Sequence, residues 1–296
     1  MAQSLEVLSR RAASMQGIRG IVHTMKTLSV INAVPYEHAA RAIEAYHDTV
    51  LMGLHAFLSQ MGRLETPPAK TTTKVLIIFG SDHGLCGNYN EALARHVTQQ
   101  FGDDLAKTSI LCIGAQMADA LRDQGLAPDT MFLPPASVDG IGRLANLLTR
   151  HLDDMQRDRG IGEMAVSLSY FARDGDKGQR PETIALLPLD QDLVQGLQRK
   201  PWASRSLPSF SMPPAALFQA LIRGHLFASL FRAAAEALVT ENAARLALMS
   251  QAEQSVDDRL EALTSETRSV RQSEITTELL DVIIGFEALK APRKGE

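Results

Sequence analysis

The hydrophobic residues at the start of the chain repeat with the period of a helix. In residues 1–62, apolar side chains recur every three or four positions, which places one continuous apolar stripe on a helix face. Pro35 interrupts this stripe. Because an interior proline costs a helix roughly 3 kcal/mol, we expect the helix to end or bend there. The pattern predicts an N-terminal helical region over residues 1–62.

The C-terminal part of the chain carries a longer stripe of the same kind. Residues 215–289 contain no proline, and their only glycines are Gly224 and Gly285. The three-and-four spacing of apolar residues continues for about ten heptads, a length typical of coiled coils. One helix cannot bury such a stripe alone. We therefore expect residues 212–290 to wind around the N-terminal helix as an antiparallel coiled coil.

The middle of the chain alternates short β-type runs with helical patterns. The β-type runs are 74–79, 108–114, 129–134, 163–171 and 182–189, and the helical patterns lie at about 90–101, 115–124 and 137–158. This alternation predicts a mainly parallel sheet covered by helices. The last two runs are joined by a hydrophilic turn and are predicted to form a hairpin. The fold class is α/β, with a Rossmann-like domain at 74–200 inserted between the two helices and preceded by a linker at 65–73.

Composition and charge exclude several classes of protein. The net charge is −4, and no basic stripe with interleaved aromatic residues is present, so no nucleic-acid partner is expected. The two cysteines, Cys86 and Cys112, suit neither a disulfide framework nor a zinc site. No segment reaches the 18 or so apolar residues of a membrane span, and the N-terminus lacks the apolar core of a secretory signal.

A glycine-containing loop, "GSDHGLCGNYN" at 80–90, follows the first β-type run. Its spacing matches neither a phosphate-binding P-loop nor a dinucleotide fingerprint, and Asp82 opposes an anion. Cys86 lies close to His83, which would suit a nucleophile. A structural strand-to-helix turn is favoured, with phosphate binding and a reactive cysteine as alternatives. The eight histidines are scattered and suggest no metal site.

Three stretches of the chain resemble one known family. They are "IRGIVHTMKTLS" at 18–29, "SDHGLCGNYN" at 81–90 and "VRQSEITTELLDVIIG" at 270–285. Each resembles a signature of the gamma subunit of F-type ATP synthase, and the order of helix, α/β domain and long helix resembles that family across the whole chain. The third stretch is the most specific, with these residues in register: Arg271, Gln272, Ile275, Thr276, Glu278, Leu279 and Gly285.

The resemblance implies the central rotor shaft of the F1 complex. The coiled coil would stand inside a ring of alternating alpha and beta subunits, and its foot would rest on the epsilon subunit and the c-ring. Rotation would couple transmembrane ion flow to ATP synthesis or hydrolysis at the beta subunits. The resemblance implies no catalytic residues, cofactor or metal in this chain. It also implies a peripheral location on the cytoplasmic side of a bacterial inner membrane, with membrane contact only through the Fo sector.

The resemblance also assigns roles to individual residues. The residues it places against the alpha and beta ring are Met25, Lys26, Arg271, Gln272, Thr276 and Glu278. The residues it places in a structural loop are Asp82, Gly84, Leu85, Cys86 and Gly87.

The chain also departs from the family pattern. "SVINAVPYEHA" at 29–39 lacks the family's basic residues, and His83 stands where arginine or lysine is usual. These departures favour a diverged or second-copy form of the synthase. Two other interpretations stay open at this point. One is a Rossmann-like nucleotide-binding enzyme with helical arms for oligomerisation, and the other is a coiled-coil adaptor.

Overall fold

The computed structural model describes residues 5–61, 73–158, 164–175, 178–202, 205–206 and 208–290. The predicted linker lies outside these residues except for Thr73, at which the first strand begins. The helices are α1 Leu5–Met61, α2 Tyr89–Phe101, α3 Ala115–Asp123, α4 Val138–Asp158, α5 Gln191–Arg199 and α6 Pro214–Lys290, with a 3₁₀ helix at Gly102–Lys107. The strands are β1 Thr73–Phe79, β2 Thr108–Ile113, β3 Thr130–Phe132, β4 Met164–Arg173 and β5 Gln179–Leu187.

The strands form one sheet of five in the order β3-β2-β1-β4-β5. The first four strands are parallel, with Lys74 of β1 opposite Thr108 of β2 and Ala165 of β4. β5 pairs antiparallel with β4, which confirms the predicted hairpin. The α/β fold class with long terminal helices is likewise confirmed.

Both faces of the sheet are buried, and β1 shows why its sequence is apolar throughout. Val75 and Ile77 face a core shared with α1, α4 and α6, whereas Leu76 and Ile78 face a core shared with α2 and α3. Successive side chains on a strand point to opposite faces, so a strand covered on both sides needs an unbroken apolar run.

Helix α1 does not end at Pro35, which was one of the two outcomes expected from the sequence; a bend there stays a prediction. The helix runs through this residue to Met61. Directly after the proline, Tyr36, Ala39 and Ala40 are buried in the core beneath the sheet. Burial of apolar surface contributes about 25 cal/mol per Å², which helps to offset the backbone hydrogen bond that proline cannot make.

The described residues group into two compact units whose boundaries fall inside the long helices. One unit contains the residues up to Leu28 and those from Leu246 onward, and the other is Ser29–Arg245. The division into domains at 1–62, 74–200 and 212–290 therefore stays a prediction.

The two long helices pair antiparallel within each unit. In the first unit, Arg19 binds Asp257, and Lys26, further along α1, binds the earlier residue Glu253. In the second unit, a Cβ placed on Gly224 would lie 3.3 Å from Val50, and one placed on Gly53 would lie 2.7 Å from Leu221. In both cases later residues of α1 meet earlier residues of α6, as the two matching stripes predict.

Candidate functional site

The loop at residues 80–88 leaves the carboxyl end of β1, where the strand order reverses. From β1 the chain first builds β2 and β3 on one side and then places β4 on the other side. In open α/β sheets this reversal is where ligands commonly bind. A nucleotide site in this fold would therefore be expected at this loop.

The polar groups of the loop bond mainly to one another. The Ser81 amide donates to Asn90 Oδ1 at 3.0 Å, Asn90 Nδ2 donates to Ser81 Oγ at 2.8 Å, and Ser81 Oγ lies 2.9 Å from the His83 carbonyl. Leu85 and Gly87 have left-handed backbones, with φ of 64° and 68°. That conformation costs a non-glycine residue about 1–2 kcal/mol, so Leu85 is a strained position of the loop.

Asp82 occupies the position at which an anion would otherwise bind. Its Oδ1 accepts a hydrogen bond of 3.1 Å from the amide of Ala115, the first residue of α3. A helix N-terminus attracts phosphate because its free amides and its dipole favour negative charge. Here a carboxylate already satisfies one of these amides and would repel a second anion.

Helix α6 covers the remaining side of the strand ends. The Tyr89 hydroxyl donates to the Ala237 carbonyl at 3.1 Å and lies 3.0 Å from Thr240 Oγ1. The Tyr89 ring lies 4.5 Å from the ring of Phe171, centroid to centroid. Burial raises the pKa of this phenol far above its ordinary value. A protein helix thus occupies the crevice in which a nucleotide-binding sheet would hold its ligand, which counts against the nucleotide-enzyme interpretation.

Cys86 is buried and close to neutral partners. Its Sγ lies 3.5 Å from Ser81 Oγ, and burial raises the pKa of the thiol. Since the nucleophilic form of cysteine is the thiolate, this environment disfavours reactivity. The structural role of Cys86 stays a prediction.

Removing the Asp82 carboxylate is expected to weaken the contact between the loop and α3. Asp82→Ala should cost about 1 kcal/mol in the free energy of unfolding, since it leaves the Ala115 amide without its partner. Asp82→Asn keeps an acceptor oxygen and should cost less. Urea unfolding followed by circular dichroism measures both losses. Equal losses for the two variants would contradict this role.

A second candidate surface lies in the C-terminal part of α6. Every residue from 271 to 287 is exposed. The large apolar side chains among them, each more than half exposed, are Ile275, Leu279, Leu280, Val282, Ile283, Ile284 and Phe286. Five of these fall within residues 279–284, and at 3.6 residues per turn the seven together cover roughly 200° of the helix circumference. Exposed apolar surface of this extent marks a site that a partner covers.

Four of the predicted ring contacts lie on this segment. Arg271, Gln272, Thr276 and Glu278 are all exposed, and Thr276 Oγ1 donates to the Gln272 carbonyl at 2.8 Å. The roles of these residues toward a partner stay predictions.

The other two predicted contacts lie on α1. Met25 and Lys26 are half-buried, and Lys26 Nζ lies 2.7 Å from Glu253 Oε2. The hydrogen bonds from Lys26 and His23 lower the pKa of Glu253. Lys26 therefore already has a partner within the chain, so contact with another subunit would require it to share or exchange Glu253.

Two further observations concern membranes and metals. Within the described residues, no helix combines the length and the apolar character needed to cross a membrane. The same residues hold no group of three or more His, Cys, Asp or Glu side chains arranged to bind a metal ion.

Comparison with known proteins places the chain in a family. Residues 4–289 match the family model described as ATP synthase. The ATP synthase gamma chain of Sinorhizobium medicae is 26% identical over 302 residues, covering 97% of this chain and 99% of the relative. The ATP synthase gamma chain of Clostridium acetobutylicum is 23% identical over 288 residues, covering 97% of this chain and 98% of the relative.

Solved structures show the same fold. A chain of the Euglena gracilis mitochondrial ATP synthase, in a structure of its OSCP, F1 and c-ring, matches with a TM-score of 0.64 at 14% identity, covering 99% of this chain and 98% of that one. A chain from the central stalk and c-ring of the Tetrahymena thermophila mitochondrial ATP synthase matches with a TM-score of 0.52, covering 78% of this chain and 99% of that one. The family model spans nearly the whole chain, and the chain therefore belongs to the ATP synthase family as a gamma chain.

Proposed function

We propose that this gamma chain is the central rotor shaft of its ATP synthase and does no chemistry of its own. Its partners are the alpha and beta subunits, the epsilon subunit and the c-ring. Rotation of the shaft couples ion flow through the membrane to ATP synthesis or hydrolysis at the beta subunits. The observation that carries this proposal is the exposure of residues 271–287 on every side of α6. A helix segment whose large apolar side chains are all exposed needs partner subunits to cover it.

The pairing of the long helices suits the transmission of torque. Arg19 Nε lies 2.6 Å from Asp257 Oδ1, and Glu253 accepts from Lys26 on the same face. Such bonds between α1 and α6 resist sliding of one helix along the other. The segment beyond them exposes large apolar side chains, which suit a surface that turns within a bearing.

The absence of catalytic residues is part of the proposal. Support comes from the loop at residues 80–88, whose polar groups bind one another, and from α6, which fills the crevice beside it. The location we propose is peripheral, on the cytoplasmic side of a bacterial inner membrane, with the membrane reached only through the Fo sector.

The test is ATP hydrolysis by the alpha and beta subunits of the same organism, measured with and without this chain. We expect the chain to assemble a stable complex and to turn on steady hydrolysis. No complex and unchanged hydrolysis would overturn the proposal. In that event, titration of ATP and NAD against the isolated chain would test the loop as a binding site, since a shaft should bind neither in the micromolar range.

Replacing Arg271 and Gln272 with alanine is expected to lower steady hydrolysis on the order of tenfold. Each side chain can donate hydrogen bonds to loops of a beta subunit, and a charge-assisted bond contributes about 1.5–3 kcal/mol. A matched control is Ser273→Ala with Thr277→Ala, two exposed positions of the same segment outside the family signature. Equal effects of the two double variants would show that the signature residues have no special role.

A further inference from the structure

Two histidines join the long helices within the unit Ser29–Arg245. His47 on α1 and His225 on α6 approach with Nε2 of the first 3.1 Å from Nδ1 of the second. Their ring centroids are 5.1 Å apart. His225 is buried, with 7% of its surface exposed, and His47 is half-buried. This contact is therefore a direct bond between α1 and α6 in a part of the molecule largely closed to water.

The bond depends on the protonation of both rings. A neutral imidazole has one N–H and one lone pair, so one ring can donate to the other. When both rings are protonated, all four nitrogens carry hydrogen. The two facing N–H groups then repel each other at 3.1 Å, and two charges lie in a buried site. Double protonation must separate the rings.

The surroundings offer a second position for a charged ring. The histidines line a cavity of about 170 Å³ between the two helices and the sheet. The titratable and charged groups that face the pair are Glu44 and Asp48 on α1, Tyr170 on β4, Asp190 before α5 and Arg232 on α6. Glu44 lies three residues before His47 and so shares its side of the helix. A protonated His47 thus has both space and a carboxylate partner.

The pKa values of both groups agree with this geometry. Burial lowers the pKa of His225 from 6.5 to about 4, with a further contribution from His47. Burial, then the charge of Arg232, lowers the pKa of His47. The open or unfolded form therefore binds more protons than the closed form between pH 4 and 6.5. Stability from the pair is complete above about pH 6.5 and is lost as the pH falls toward 4.

We propose that His47 and His225 form a proton-operated lock, which ties α1 to α6 near neutral pH and releases them in mild acid. The lock is independent of the proposed rotor function, since it concerns contacts within this chain alone. The opening of the helix pair near residues 40–50 and 222–232 is the quantity that changes with pH.

Hydrogen exchange and NMR on the full chain test this lock together. Exchange in peptides covering 40–50 and 222–232, corrected for the intrinsic pH dependence, should rise roughly 30-fold between pH 7.5 and 5 from the His225 shift alone. In the variant His47→Gln with His225→Gln, the rise should disappear, because glutamine can hydrogen bond but does not titrate. His38→Gln, at an exposed position of α1, is the control and should behave as wild type.

NMR titration of ¹⁵N-histidine in the wild-type chain needs no variant to fold. We expect two resonances with pKa values clearly below 6.5, one of them near 4. The lock is overturned if all histidines titrate near 6.5, or if the corrected exchange in these peptides does not change with pH. It is also overturned if the glutamine double variant keeps the rise seen in wild type.

Discussion

Replacing Gly114 with alanine is expected to be among the most damaging single changes in this chain. Gly114 has φ of 103°, a conformation that side chains rarely adopt, and a Cβ there would lie 2.4 Å from the Ser81 carbonyl oxygen. The backbone cannot easily shift to relieve this clash, because the Gly114 amide donates a hydrogen bond to the Phe132 carbonyl at 2.9 Å. We expect a loss of about 3 kcal/mol or more in the free energy of unfolding. Urea unfolding followed by circular dichroism measures it.

Gly125→Ala separates the steric part of this effect from the backbone part. Gly125 also has a left-handed φ, 77°, but a Cβ there would meet no atom within 4 Å. Its substitution should cost only the conformational penalty of about 1–2 kcal/mol. If the two variants lost the same free energy of unfolding, the close approach of Gly114 to Ser81 would make no contribution to the effect of Gly114→Ala.

Replacing Arg245 with methionine is expected to have a comparably large effect. Arg245 Nη2 lies 2.5 Å from Glu241 Oε1, and the two side chains are 13% and 9% exposed. Removing the arginine leaves a buried carboxylate without its counter-charge, which costs roughly 3–5 kcal/mol at neutral pH. The double variant with Glu241→Gln and Arg245→Met should recover much of this loss, because neither charge remains. The free energies of unfolding of the wild type, the two single variants and the double variant form a double-mutant cycle that measures the interaction between Glu241 and Arg245.

The pH dependence of the Arg245→Met variant gives a second test. Burial already raises the pKa of Glu241, and Arg245 partly offsets that rise. Without the arginine the folded-state pKa should rise further above the unfolded value. A raised folded pKa means that stability is lost as the pH increases through it, so the penalty should be smaller at pH 5 than at pH 7.5. A penalty that did not change with pH would argue against a buried ionised Glu241.

The strands and most helices could be predicted because their patterns reflect burial. The run at 74–79 is apolar at consecutive positions since β1 is covered on both faces. The pairing of the two long helices could be predicted because each carries an apolar stripe that must be buried, and each stripe matches the other. Helix α5, by contrast, was not predicted. None of its residues is buried, and it begins where the Asp190 side chain accepts from the amide of Asp192.

The candidate site was only partly predictable. The glycine spacing of the loop at 80–88 excluded two phosphate-binding motifs, and the structure shows a self-bonded turn there. The reason that the crevice is closed could not be read from the loop itself. It depends on the contact of Tyr89 with Thr240, 151 residues later in the chain. The His47–His225 pair was missed because residues 178 positions apart become neighbours only through the antiparallel pairing of the helices.

The contribution of α6 to the core beneath the sheet has a consequence for synthesis of the protein. The last strand of the described sheet is complete once residue 187 has been made. The core beneath the sheet also contains residues of α6, which are Leu226, Leu230, Ala233, Ala234, Ala235, Ala237, Leu238 and Val239. A nascent chain that ends near residue 200 therefore carries a finished sheet with one apolar face only partly covered, by α1 and α4 but not by α6. Such surfaces are prone to aggregation until their partners arrive. The ribosome must translate most of the chain before the sheet is sealed, and chaperone binding is expected during that interval.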